Sequence, residues 1–110
     1  MAKTQNKIKE IIKEYIVLLS QDIEIRKIIL FGSFAKGKHY KDSDIDLAII
    51  SPDFRDKDHI ENMKFLIYKT INLEGPPIEP LPYTPEEYKK CDSRSFLAEI
   101  KRTGKVIFSH

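Results

Sequence analysis

The sequence predicts an α/β (α+β) fold, and three observations carry that reading. Apolar residues recur at helical spacing over residues 3–19 and again over 59–71. Two short runs, 26–31 and 45–50, are almost continuously apolar, as strands buried on both faces are. Shorter extended segments, 78–83 and 105–109, alternate with the remaining helical patterns. No repeat, linker or low-complexity segment interrupts the 110 residues, so residues 1–110 are expected to form a single domain with a modest core that needs no disulfide.

The elements follow in order. Ile8, Ile11, Ile12, Tyr15, Ile16 and Leu19 make the apolar stripe of a first helix over Lys3 to Leu19, with Lys and Glu on the other face. After the polar break Ser20-Gln21-Asp22, a first strand over Arg26 to Phe31 delivers Gly32-Ser33 to the sheet edge. Phe34-Ala35-Lys36 reads as a helical turn or two ended by Gly37, and Lys38-His39-Tyr40-Lys41 as a polar loop. A second strand, Ile45 to Ile50, stops at the turn signal Ser51-Pro52-Asp53.

Asp58 is placed to cap a second long helix over His59 to Ile71, which carries Ile60, Met63, Phe65, Leu66, Ile67 and Ile71. Pro80 and Pro82, two apart, remove N–H groups along one edge of the segment 78–83, which is therefore an edge strand. Thr84-Pro85-Glu86-Glu87 has the cap, N1 proline and N3 glutamate of a helix start. Ser93 is expected to cap a last helix bearing Phe96, Leu97 and Ile100 and closed by Gly104, before a final strand over 105–109.

The sharpest chemical signal is Gly32-Ser33 followed, ten residues later, by Asp44-Ile45-Asp46. Strand side chains alternate between two faces, so Asp44 and Asp46 project together while Ile45, Leu47 and Ile49 project the other way. Two carboxylates held that close repel and lose solvation, a cost that solvent or a cation must offset. Mg²⁺, a hard ion satisfied by one or two carboxylates, water and phosphate oxygens, suits the pair. The glycine permits close backbone approach to an anion, and a helix starting at Ser33 would aim free N–H groups at it. Together the two parts describe a metal–triphosphate site; each alone is ordinary surface charge or an ordinary turn.

This motif resembles the signature of the minimal nucleotidyltransferases, small members of the DNA polymerase beta-like superfamily, and the order of apolar runs is similar to that family's across nearly the whole chain. The resemblance implies the polymerase beta-like nucleotidyltransferase fold, a small mixed sheet with helices packed mainly on one face, and a nucleoside triphosphate, ATP by expectation, bound at Gly32 and Ser33. It further implies Mg²⁺, as two ions, on Asp44 and Asp46, and a third carboxylate on a later strand. Glu79, sharing its face with Leu81 and Tyr83, stands near that point, where the family pattern leads one to expect Asp. The implied reaction is transfer of a nucleoside monophosphate to an acceptor hydroxyl. Such chains resemble the antitoxins encoded beside HEPN-type toxins, which implies a toxin tyrosine as acceptor and a hetero-oligomeric complex.

Other residues weigh less. Lys36, Lys38, His39 and Lys41 lie between the two halves of the motif, where they either neutralise phosphate or simply form a solvated loop. His39 has no identified partner as a general base. Cys91 sits alone in a polar stretch, which excludes an internal disulfide framework and a multi-cysteine zinc site and fits a reducing compartment. Nineteen Lys and Arg against seventeen Asp and Glu give a net charge of +2, too balanced to bind a polyanion by bulk field. Aromatic residues are not interleaved with a basic stripe, so there is no strong nucleic-acid signal. No apolar run approaches the roughly 20 residues that cross a bilayer, and the N-terminus lacks a signal-peptide core, so a soluble cytoplasmic protein without membrane partners is expected. Two alternatives remain open: a non-catalytic module that neutralises a partner by contact, and a nucleotidyltransferase acting on a small molecule, which normally has an extra substrate-binding domain.

Overall fold

The computed structural model describes residues 2–35, 37 and 44–110, and for residues 2–6 the backbone alone. The lysines and histidine singled out between the two halves of the motif, Lys36, Lys38, His39 and Lys41, lie outside the described residues.

Helix α1 (Ala2–Ser20) leads to β1 (Lys27–Phe31), β2 (Ile45–Ile50), a 3₁₀ turn (Pro52–Asp56), α2 (His59–Tyr68), β3 (Ile78–Tyr83), α3 (Pro85–Lys89), α4 (Phe96–Thr103) and β4 (Lys105–Ser109). The sheet order is β3-β2-β1-β4. β1 runs antiparallel to both β2 and β4, whereas β3 joins β2 in parallel after the α2 crossover, so the sheet is mixed.

Side-chain alternation divides the sheet into a thick face and a thin face. On the thick face Ile28, Ile45, Leu47, Ile49 and Ile78 pack against the α1 stripe of Ile8, Ile11, Ile12, Tyr15 and Leu19 and against Leu66 of α2. The Tyr15 hydroxyl, fully buried there, donates to the Leu66 carbonyl at 2.8 Å, which ties α1 to α2. Burial without a charged partner pushes the Tyr15 phenol well above its usual range. On the thin face Ile29, Phe31 and Ala48 form a smaller cluster with Ile100 of α4, packed by Leu81, Tyr83 and Tyr88 of α3, and Phe31 also meets Phe96 edge-on. The larger core and the two longer helices thus occupy one face, as the family resemblance implies.

Strand β3 is an edge strand for the predicted reason. The Ile45 N–H donates to the Pro77 carbonyl (2.8 Å) and the Ser51 N–H to the Tyr83 carbonyl (3.0 Å). Odd-numbered residues therefore face β2, and the missing N–H groups of Pro80 and Pro82 fall on the free edge.

Three local expectations are corrected. α2 ends at Tyr68 rather than Ile71, because the Thr70 hydroxyl and backbone N–H both take the Ile67 carbonyl (2.7 and 2.9 Å), the acceptor a fourth turn would need. The cap of α4 is Ser95, whose hydroxyl accepts from the Ala98 N–H at 3.1 Å, not Ser93. Residues 32–35 form turns, and among the described residues no helix starts at Ser33. Asp58 caps α2, and Thr84 with Glu87 forms the capping box of α3, both as predicted.

Candidate active site

The site is built where three strands present one row. In register, Phe31 of β1 stands beside Asp46 of β2, and Asp46 beside Glu79 of β3. All three side chains project from the thin face, because Ile45, Leu47 and Ile78 fill the thick one. Asp44 lies just before β2, half-buried, two residues from Asp46 and on the same side.

Gly32 closes the row. It leaves β1 at φ +74°, the left-handed region that favours glycine, and a Cβ built there would collide with the Asp46 carboxylate, standing 3.2 Å from its Cγ. The glycine thus permits the turn and leaves room for Asp46. Ser33 follows in the same turn, half-buried.

The three carboxylates interact. Glu79 is pushed above the ordinary carboxyl range, first by its hydrogen bond with Asp44 and then by that residue's charge, with burial and Asp46 adding. Asp46 is raised chiefly by desolvation and further by the Asp44 charge, while its hydrogen bond with Glu79 acts the other way. Of the three, Glu79 is the carboxyl whose protonated form its acidic neighbours favour. Among the described residues no three His, Cys, Asp or Glu side chains form a ready-made metal cage. What the row offers instead is an open set of oxygen donors with surplus negative charge, which fits a hard divalent cation whose shell is completed by water and phosphate.

Beside this row runs a cleft of about 360 Å³. Gly32, Asp46 and Glu79 form its acidic end, Phe31 and Leu81 its floor, and Phe96, Glu99, Ile100 and Thr103 of α4 its far wall. The sequence places Phe96 in the apolar stripe of α4, but Leu97, Ala98 and Ile100 are the buried residues and Phe96 is 60% exposed. That wall has no local signature, since it depends on which face of α4 meets the sheet.

A family profile described as a nucleotidyltransferase domain matches residues 5–103. The chain belongs to the nucleotidyltransferase domain family. Consistent with that, this nucleotidyltransferase is 31% identical over 99 residues to a Methanocaldococcus jannaschii protein named "Putative protein adenylyltransferase", covering 88% of the present chain and 94% of that one. Another relative of that name in the same organism is 38% identical, and the match spans only 47% of its length.

Among solved structures, a "putative nucleotidyltransferase" of Sulfolobus solfataricus superposes with a TM-score of 0.65 over 99% of this chain and 83% of that one, at 16% identity. A chain from the crystal structure of a toxin-antitoxin with AMP-PNP superposes with a TM-score of 0.64 over 89% of this nucleotidyltransferase and 73% of that chain, at 21% identity. At those identities the likeness is one of fold. No helix among the described residues is long and apolar enough to cross a membrane.

Proposed function

We propose that this nucleotidyltransferase moves AMP from ATP to an acceptor hydroxyl in a Mg²⁺-dependent reaction, and that the acceptor is a tyrosine of a cognate HEPN-type toxin, so that the chain acts as a cytoplasmic antitoxin. One observation carries the chemistry: Asp44, Asp46 and Glu79 interact on one sheet face, beside a glycine whose missing Cβ makes room for Asp46. The toxin partner rests on the family resemblance, on a structural neighbour that belongs to a toxin-antitoxin complex, and on relatives named for protein adenylylation.

In this reading Asp44 and Asp46 hold the divalent ions, and Glu79 completes the set on the acceptor side. Bound there, two Mg²⁺ ions would neutralise charge on the attacking and leaving oxygens of an in-line displacement. The Gly32 backbone and the Ser33 hydroxyl orient the outer phosphates, which leave as pyrophosphate. Glu79 ligates the ion that would activate the acceptor hydroxyl, or takes that hydroxyl's proton. The chain contributes mainly position and fixed charge, which is what phosphoryl-type transfer asks of a protein. A row of exposed apolar side chains on and after α2, Ile60, Ile67, Tyr68 and Ile71, supports association with a protein partner.

The test is incubation with α-labelled ATP, Mg²⁺ and the protein that copurifies with the chain. Asp44→Asn combined with Asp46→Asn is expected to lower label transfer by at least about 100-fold and to abolish the Mg²⁺-dependent rise in melting temperature that ATP produces. Undiminished transfer by a folded double variant would show the assignment to be wrong. Neutralisation of the partner without any transfer would instead favour the contact-only module.

A further inference from the structure

Building on that reading, we propose that the α4 wall of the cleft is a slot for a planar ring, with Phe96 as the residue that determines what ring is accepted. The motivating fact is an aromatic held in place yet left open. Ser95 caps α4, and Leu97, Ala98 and Ile100 are 5%, 7% and 1% exposed, so the start of the helix is anchored. Phe96, between the cap and those anchors, stays 60% exposed. Its only ring partner among the described residues is Phe31, met edge-on with centroids 5.7 Å apart and planes at 81°.

Phe31 is the same residue that stands beside Asp46 in the strand register, so the aromatic pair and the carboxylate row are two ends of one cleft. A phosphate ester seated at the acidic end through a cation would therefore place a neighbouring ring over Phe31, Leu81 and Phe96. Glu99, paired with Arg102, and Thr103, whose hydroxyl donates to the Glu99 carbonyl, line the rim beside it. An exposed aromatic beside a charged site is also how ring recognition combines apolar area with orientation.

Two rings are available to the reaction, the base of the nucleotide and the phenol of an acceptor, and the experiment separates them. Binding of ATP, of tripolyphosphate and of N-acetyltyrosinamide is measured by calorimetry with Mg²⁺, the last in the presence of a saturating non-hydrolysable ATP analogue. The proteins compared are the wild type, Phe96→Ala and Phe96→Tyr. If the slot takes the base, Phe96→Ala weakens ATP roughly five- to tenfold and leaves tripolyphosphate unchanged. If it takes the phenol, ATP is unchanged and N-acetyltyrosinamide binding falls by a similar factor. In both cases Phe96→Tyr retains binding, since the ring survives. The proposal is overturned if Phe96→Ala, folded by circular dichroism, changes neither. Failure of the wild type to bind tripolyphosphate at all would overturn the nucleotidyl-transfer reading beneath it, a result distinct from an indifferent Phe96.

Discussion

Replacing Gly32 by alanine tests the geometry on which the site depends, and the structure supplies its own control. Gly32 and Gly37 have nearly equal backbone angles, φ +74° and +72°, but a Cβ at Gly32 meets the Asp46 carboxylate whereas one at Gly37 meets nothing within 4 Å among the described residues. For either glycine, an L side chain in the left-handed region costs about 1–2 kcal/mol. Alanine offsets about 0.4–1 kcal/mol of that by restricting the unfolded chain. Gly37→Ala should therefore destabilise by roughly 0.5–1 kcal/mol. At Gly32 the Asp46 side chain must also leave its rotamer, which adds about 0.5–1.5 kcal/mol and brings the sum to roughly 1–2.5 kcal/mol. For a chain of this size that is a fall in melting temperature of about 5–15 °C, against a few degrees for Gly37→Ala. Urea melts of the two variants, and of Gly32→Ala in an Asp46→Ala background, measure the difference. The second variant should lose the extra cost, because the clashing carboxylate is gone. Because a displacement of about 1 Å at a reacting centre costs on the order of 100-fold, transfer by Gly32→Ala should fall that far. Equal destabilisation at both glycines, with no rescue by Asp46→Ala, would refute the close approach of Gly32 to Asp46.

Two further outcomes follow from buried and shared protons. Glu79 and Asp46 have raised carboxyl pKa values in the folded state, so between the ordinary value (4.5 for Glu79) and the raised one the native chain holds protons that the unfolded chain has released. Stability therefore declines as pH rises through that window, and melts between pH 4 and 7 should show a slope that Glu79→Gln flattens; an unchanged slope in Glu79→Gln would remove the shared proton from the account. Tyr15→Phe deletes the hydroxyl that the Leu66 carbonyl accepts from at a fully buried position, and should cost about 1–3 kcal/mol in urea melts while leaving ATP binding intact. A loss of ATP binding in that variant would mean that the thick-face core and the site are coupled.

What the sequence discloses and what it hides follows from range. The spans of α1, β1 and β2 are legible because their periods are local, as is the capping box at Thr84 and Glu87. The end of α2 is not, because Thr70 competes for a carbonyl in a way that composition alone does not decide. The cap of α4 shifts from Ser93 to Ser95 because residues 92–95 close a turn first: the Ser95 N–H and hydroxyl both donate to the Asp92 carbonyl, at 2.9 and 2.7 Å. Least legible is the α4 wall, since Phe96 has the same local pattern whether it is core or cleft. The neighbourhood of Asp46 and Glu79 likewise depends on a parallel register that no local signal sets.

The two faces of the sheet explain why the acidic row can exist in so small a chain. Ile45, Leu47 and Ile49 alternate with Asp44, Asp46 and Ala48, so the parity that inserts three isoleucine or leucine side chains into the thick core also sends both carboxylates to the other side. There, among the described residues, the cover is α3 and α4, and Asp46 and Glu79 keep contact with solvent. A one-residue slip of β2 would bury two charges beneath α1 and leave the isoleucines in the cleft, an exchange that costs several kcal/mol for each ion. Core packing and site placement are therefore a single constraint. Substitutions on the thick face that loosen the register of β2 should impair transfer before they unfold the chain, whereas equivalent changes in β4, which holds β1 from the far edge, should leave transfer nearly unaffected.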